Sequence, residues 1–130
     1  MVVGSAGLFC LALNVYFEAR SEDLAAQYAV AEVTLNRVAS PDFPDDVCEV
    51  VWQRKQFSWT HDGKSDKPRD TKAWRRAVSV AAYALEDDGH VVVGYDALYY
   101  HADYVKPYWA TAYERVAKVG RHIFYRMKKG

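Results

Sequence analysis

Glu18 is the residue whose type and setting point most directly to chemistry. It is the lone carboxylate in the run from Leu8 to Arg20, which is otherwise apolar on nearly every side. Wound at roughly 100° per residue, that run sets Leu8, Leu11 and Val15 on one face with Glu18, while Phe9, Leu13 and Phe17 cover the opposite face. A helix apolar all round is a buried helix. Burial strips water from a carboxylate, raises its pKa and keeps it protonated nearer neutral pH, which is how a general acid is made. The competing reading is a structural Glu satisfied by a neighbour, with Asn14 one turn earlier or Arg20 nearby as the partner.

Glycoside cleavage ordinarily takes two carboxyl groups, one protonating the leaving oxygen and one acting as nucleophile or activating water. Glu22 lies one turn beyond Glu18 on roughly the same face, but it also sits where a solvated acid in the first turn of a following helix would sit, and that second reading is favoured. Asp62, Asp96 and Asp103 are further carboxylates without geometric support. A zinc amidase or peptidase would need converging ligands. His61, His90, His101 and His122 are scattered along the chain, and His101-x-Asp103 is too common a spacing to count. No metal and no cofactor are expected.

The elements that must position these groups can be read from periodicity. The first helix ends near Arg20-Ser21, and Ser21 or Asp23 caps the next. Leu24, Tyr28, Ala31, Leu35 and Val38 follow steps of four and three, an amphipathic helix whose polar face holds Gln27, Glu32 and Arg37. The segment from Pro41 to Asp46 breaks the chain, and Val47, Val50 and Val51 suggest a short helix ending near Gln53. The aromatic run from Gln56 to Thr60 precedes an exposed loop from His61 to Pro68. Trp74, Val78, Ala81 and Leu85 stripe a third long helix that Asp87-Asp88-Gly89 terminates. Tyr95 to Tyr108 is crowded with Tyr and His, and Ile123-Phe124-Tyr125 after Gly120 reads as a short strand or extended segment. The fold expected is α+β and mainly α, a single domain over residues 1–130 with a small extended element near the C-terminus.

Composition adds bounds. A chain of 130 residues suffices to bury a real core, and its 17 Lys and Arg balance 17 Asp and Glu. That balance leaves no whole-chain field to steer it toward nucleic acid or an anionic membrane. Ten Tyr and four Trp suit either an amphipathic core and surface or a ring-lined groove for stacking on sugars or bases, the latter open to a non-catalytic binding module as well. Cys10 and Cys48 read as small core residues; pairing them would need Cα atoms within about 7 Å. No run approaches the ~18 apolar residues of a membrane span. The first 13 residues lack the leading Lys or Arg of a signal peptide, so no export signal of its own is expected. A monomer is expected, since no surplus apolar helix face is evident.

A family resemblance is carried by Tyr16-Phe17-Glu18-Ala19-Arg20-Ser21-Glu22, by Ala29 to Val38, by Phe43-Pro44, Val47-Cys48 and Gln56-Phe57-Ser58, and by Tyr100-His101-Ala102-Asp103-Tyr104-Val105. In that order, from about residue 8 to about residue 126, they resemble the SleB-type cell-wall hydrolases, the catalytic domains of spore-cortex-lytic enzymes and related bacterial and phage lysins. The family motif commonly has Gly at the position of Ser21, and the loop from His61 to Lys67 matches no family pattern. The resemblance implies a lysozyme-like, lytic-transglycosylase-like helical domain that cuts peptidoglycan glycan strands in the periplasm or outside the cell, with Glu18 as the catalytic acid. It favours a lytic transglycosylase, in which one acid suffices because the muramic 6-hydroxyl is the nucleophile, over a hydrolytic muramidase. It also marks Ser58, Tyr100 and His101 as groups that hold the sugar and Tyr125 as a further site residue, and with no export signal expected it would fit a phage-encoded lysin made in the host cytoplasm. Apart from the resemblance, Trp59, Tyr104, Tyr108 and Trp109 are candidate groove rings. For each, a packed or turn-forming role competes.

Overall fold

The computed structural model describes residues 4–53, 57–60, 62–86 and 91–128, apart from the side chain of Ser58. Four helices come first: α1 (Ser5–Ala19), α2 (Leu24–Ala39), α3 (Val47–Val51) and α4 (Thr71–Glu86). Three antiparallel strands follow: β1 (Ala97–Ala102), β2 (Glu114–Val119) and β3 (His122–Arg126). They pair in the order β1-β3-β2. The mainly helical α+β expectation is met, and the extended segment around Phe124 is β3, the middle strand. No helix among the described residues is long and apolar enough to cross a membrane.

Helix α1 packs against α2, α3 and α4. Leu11, Ala12, Val15 and Tyr16 are fully enclosed, but Phe9 on the face expected to be covered is half exposed and rests edge-on against Trp74 of α4. Asp23 caps α2 by accepting from the Ala26 amide, satisfying one of the donors a helix start leaves unpaired.

The polar side of α2 departs from expectation. Gln27, Glu32 and Arg37, placed on the polar face, are buried, whereas Leu24 on the apolar stripe is exposed. The helix is enclosed by α1, α3, α4 and β1; Gln27 donates to the Glu22 carbonyl, and the other polar groups satisfy backbone that follows α4. Glu32 accepts from the amides of Val92, Val93 and Gly94 at 2.8–3.0 Å. Asn36 donates to the carbonyls of Gly94 and Ala97, and Arg37 Nε donates to that of Leu98 at 2.7 Å. Buried polar groups are tolerated when paired in this way. These bonds fix the entry into β1 and therefore the placement of Tyr100 and His101.

Cys10 and Cys48 are joined in a disulfide with Cα atoms 5.3 Å apart, not held as separate core thiols. The bond ties α1 to α3. The capping side chain of Asp70 accepts from the Ala73 amide to open α4, while the Asp70 amide donates to the Tyr16 hydroxyl. The segment Asp87-Asp88-Gly89, expected to end α4, lies outside the described residues, as do Gln56, His61 and His90.

Candidate active site

Glu18 occupies the last turn of α1, where the helix stops and its carboxyl opens into a cleft of about 670 Å³. Tyr100 and His101 of β1 form another wall, Arg37 of α2 and Phe57 lie on its floor, and Tyr104 stands at its mouth with most of its ring in solvent. The structure therefore brings together Glu18, Tyr100, His101 and Tyr104 among the residues singled out from sequence.

Burial pushes the Glu18 carboxyl up to about 7, opposed by the neighbouring Tyr100 hydroxyl and by the Arg37 charge. Neither neighbour first considered for Glu18 takes that role. Asn14 donates to Thr34 Oγ1 and accepts from Trp59 Nε1, and Arg20 donates to the Tyr16 hydroxyl while lying over its ring. The Tyr100 hydroxyl is itself fully enclosed, and its pKa is driven well above the usual phenol value by burial and then by the charge of Glu18. The phenol therefore stays neutral beside the carboxyl, and no hydrogen-bond partner meets its oxygen among the described residues.

Arg37 is the group that sequence periodicity missed. Its guanidinium lies 5.0 Å from the ring centres of Phe43 and Phe57 and 5.7 Å from that of Tyr99, so cation–π attraction partly replaces lost water. Its Nη1 is enclosed with no protein partner among the described residues. The signal available in sequence was a cation one step from an apolar stripe; only the packing of α2 turns it inward.

Glu22 also lines the cleft, yet it is not the solvated acid expected. Its carboxyl is enclosed, 2.5 Å from His122 Nδ1, and accepts from the Arg121 amide. Burial pushes the His122 imidazole down and the Glu22 carboxylate opposes that shift. Gly120, at φ +57°, lets the β2–β3 turn lie over Glu22: a Cβ there would stand 2.5 Å from Glu22 Oε1. Asp103 pairs with Lys118 and Asp96 with Arg126, and among the described residues no Asp or Glu besides Glu18 and Glu22 lines the cleft.

The remaining sequence candidates lie elsewhere. Trp59 is buried, stacked on Phe17 and edge-on to Trp52, behind the cleft wall. Tyr125 is on the outer face of the sheet, where its hydroxyl meets His101 Nε2 at 2.7 Å. His101 Nδ1 lies 2.7 Å from the Ala102 carbonyl, which can only accept, so Nδ1 carries the proton and a neutral ring accepts from Tyr125. Trp109 packs against His101 and Tyr125, and Tyr108 is almost wholly exposed. Ser58 begins a single helical turn (Ser58–Thr60), and its side chain lies outside the described residues.

Residues 21–125 match the model of the family described as Cell Wall Hydrolase. The chain belongs to this family. It is 35% identical over 114 residues to a spore cortex-lytic enzyme of Halalkalibacterium halodurans, covering 88% of this chain and 33% of that protein. A spore cortex-lytic enzyme of Bacillus subtilis is 34% identical over 116 residues, covering 88% of this chain and 35% of its own length. The chain thus spans about a third of the length of these curated relatives. The fold matches the catalytic domain of the germination-specific lytic transglycosylase SleB from Bacillus anthracis, with a TM-score of 0.76, 32% identity, and coverage of 95% of this chain and 96% of that one. The catalytic domain of Bacillus cereus SleB matches with a TM-score of 0.75 and 29% identity, over 96% and 93% of the two chains.

Proposed function

We propose that this domain cleaves the bond between N-acetylmuramic acid and N-acetylglucosamine in peptidoglycan as a lytic transglycosylase, with Glu18 as its single acid and base. The observation that carries the proposal is the Glu18 carboxyl, held protonated to about pH 7 by burial at the edge of a cleft, while Glu22 is committed to His122 and the Arg121 amide. Likeness to SleB catalytic domains points the same way.

Protonated Glu18 gives its proton to the glycosidic oxygen as the C1–O bond breaks. The resulting carboxylate, supported by the Tyr100 hydroxyl and the Arg37 charge, takes the proton of the muramic 6-hydroxyl as that oxygen bonds to C1. The products are a 1,6-anhydro-muramic end and a free N-acetylglucosamine 4-hydroxyl, and Glu18 is again protonated. A raised carboxyl pKa serves both steps, because the group is a ready acid at rest and a competent base once ionised. Tyr100, His101 and Tyr104 orient the sugar in the cleft, with Tyr125 bracing His101; Ser58 is assigned to the same binding machinery on the family motif alone.

Digestion of purified peptidoglycan in heavy-oxygen water tests the chemistry. Ring closure by the 6-hydroxyl takes up no solvent oxygen, so muramic ends carry no label. Labelled, reducing muramic ends would overturn the reading and turn attention to Glu22 as a base for water.

A further inference from the structure

A second concavity, of about 240 Å³, lies on the other side of Phe17, which is a wall of both it and the Glu18 cleft. Its rim is charged: Arg20, Lys64, Lys67 and Arg69 face Asp62 and Asp66, four cations against two anions. Arg20 is held by Tyr16, and the exposed Asp62 accepts from the Lys64 amide. Lys64, Lys67 and Arg69 are exposed and form no ion pair among the described residues. An uncommitted positive surplus in a hollow beside a substrate cleft concentrates anions there.

Resting on the glycan-cleaving reading, we propose that this basic hollow receives the carboxylates of the peptide stem carried by the muramic residue next to the scissile bond. The substrate's chemistry supplies the match. A muramic acid in the cleft bears a lactyl-linked peptide on O3, and that peptide must leave the cleft close to Glu18. Its side-chain and terminal carboxylates are the anions nearest to hand on a strand whose sugars are otherwise neutral. The hollow beyond Phe17 offers them Lys64, Lys67 and Arg69, with the flank of the Phe17 ring for the stem's aliphatic portion. The consequence is a preference for glycan that still carries its stems.

Two phosphate-free substrates test this: sacculi stripped of teichoic polymers, and the same strands freed of stems by an amidase. The wild type is expected to show about tenfold higher kcat/KM on the stem-bearing strands, mostly through KM, the size of effect two or three partly exposed ion pairs give. In the variant K64E/K67E that ratio is expected to fall to about one, and added salt is expected to shrink it in the wild type. Equal cleavage of both substrates by the wild type, or an unchanged ratio in the variant, would overturn the proposal. Binding of isolated stem peptide to the Glu18→Gln protein decides it independently of turnover. Free-carboxyl peptide must bind more tightly than its amidated form; equal binding would contradict the hollow's role. If the wild type cleaves neither strand, the glycan-cleaving reading fails while the binding measurement still stands.

Discussion

At the scale of single residues, Glu18 works against two opposing forces. Lost hydration favours the neutral carboxyl, and Tyr100 and Arg37 favour the anion; the loss of hydration is larger. An acid that must be protonated at the start of the cycle gives a rate that declines as pH rises through its pKa. The alkaline limb of kcat/KM is therefore expected near pH 7, and a limb near 4.5 would mean that burial does not govern the group. Arg37→Gln removes a charge that favours the anion, so the limb moves to higher pH, whereas Arg37→Lys keeps it close to the wild type. A purely structural role for Arg37 would lower activity in both variants without moving the limb.

The same shift has a stability consequence with a definite sign. In the unfolded chain Glu18 ionises from about pH 4.5 upward, while in the fold it stays neutral to about 7. The unfolded state thus gains relative to the native state across that window, and stability falls as pH rises through it. Glu18→Gln removes this contribution and should stabilise the fold by ~2 kcal/mol at pH 8 and by little at pH 4, once solvation at the cleft mouth is allowed for. Thermal melts at the two pH values measure the difference.

At the scale of elements, two features fix how α1 and the sheet meet. The disulfide from Cys10 to Cys48 closes a separation of 38 residues, and restricting the unfolded chain over such a loop is worth about 4 kcal/mol. Reduction is expected to lower the melting temperature by many degrees while the reoxidised protein recovers it. Gly120 combines a positive φ with a close approach to Glu22 and Ala26. Gly120→Ala is expected to cost about 2 kcal/mol and to lower the rate, because the displaced Glu22 and His122 are cleft walls; denaturant melts and turnover together check this.

Helices were more legible than strands for a physical reason. The stripes of α2 and α4 and the carboxylate of α1 are encoded within one or two turns of chain. Strand β2 carries Glu114, Arg115 and Lys118 because it is a sheet edge, where charge discourages pairing with another chain, and that composition hides it from a hydrophobic pattern. Strand β1 begins with buried Ala97 and Leu98 in succession where its pairing is irregular, which breaks the expected alternation.

At the scale of the whole molecule, the site is assembled from residues far apart in sequence. Glu18 comes from the first helix, Arg37 from the second, and Tyr100 and His101 from β1, which α2 places through Glu32, Asn36 and Arg37. Sequence could single out Glu18 because its apolar surroundings are local. It could not show that Glu32 and Arg37 turn inward, since their partners are backbone groups about 60 residues away. Nor could it show the disulfide, which depends on how α3 docks on α1. Ring abundance was visible, but much of it builds the outer face of the sheet, where Tyr99 and Tyr113 stack at 4.1 Å beside Trp109 without lining the Glu18 cleft.

The most direct measurement is mass spectrometry of soluble fragments released from purified peptidoglycan by the wild type and by Glu18→Gln. Wild-type fragments should end in anhydro-muramic acid, one water lighter than reducing ends, and the variant should release them at least about a hundredfold more slowly. Undiminished release by Glu18→Gln would remove this residue from the chemistry and contradict the assignment of the cleft as the catalytic site.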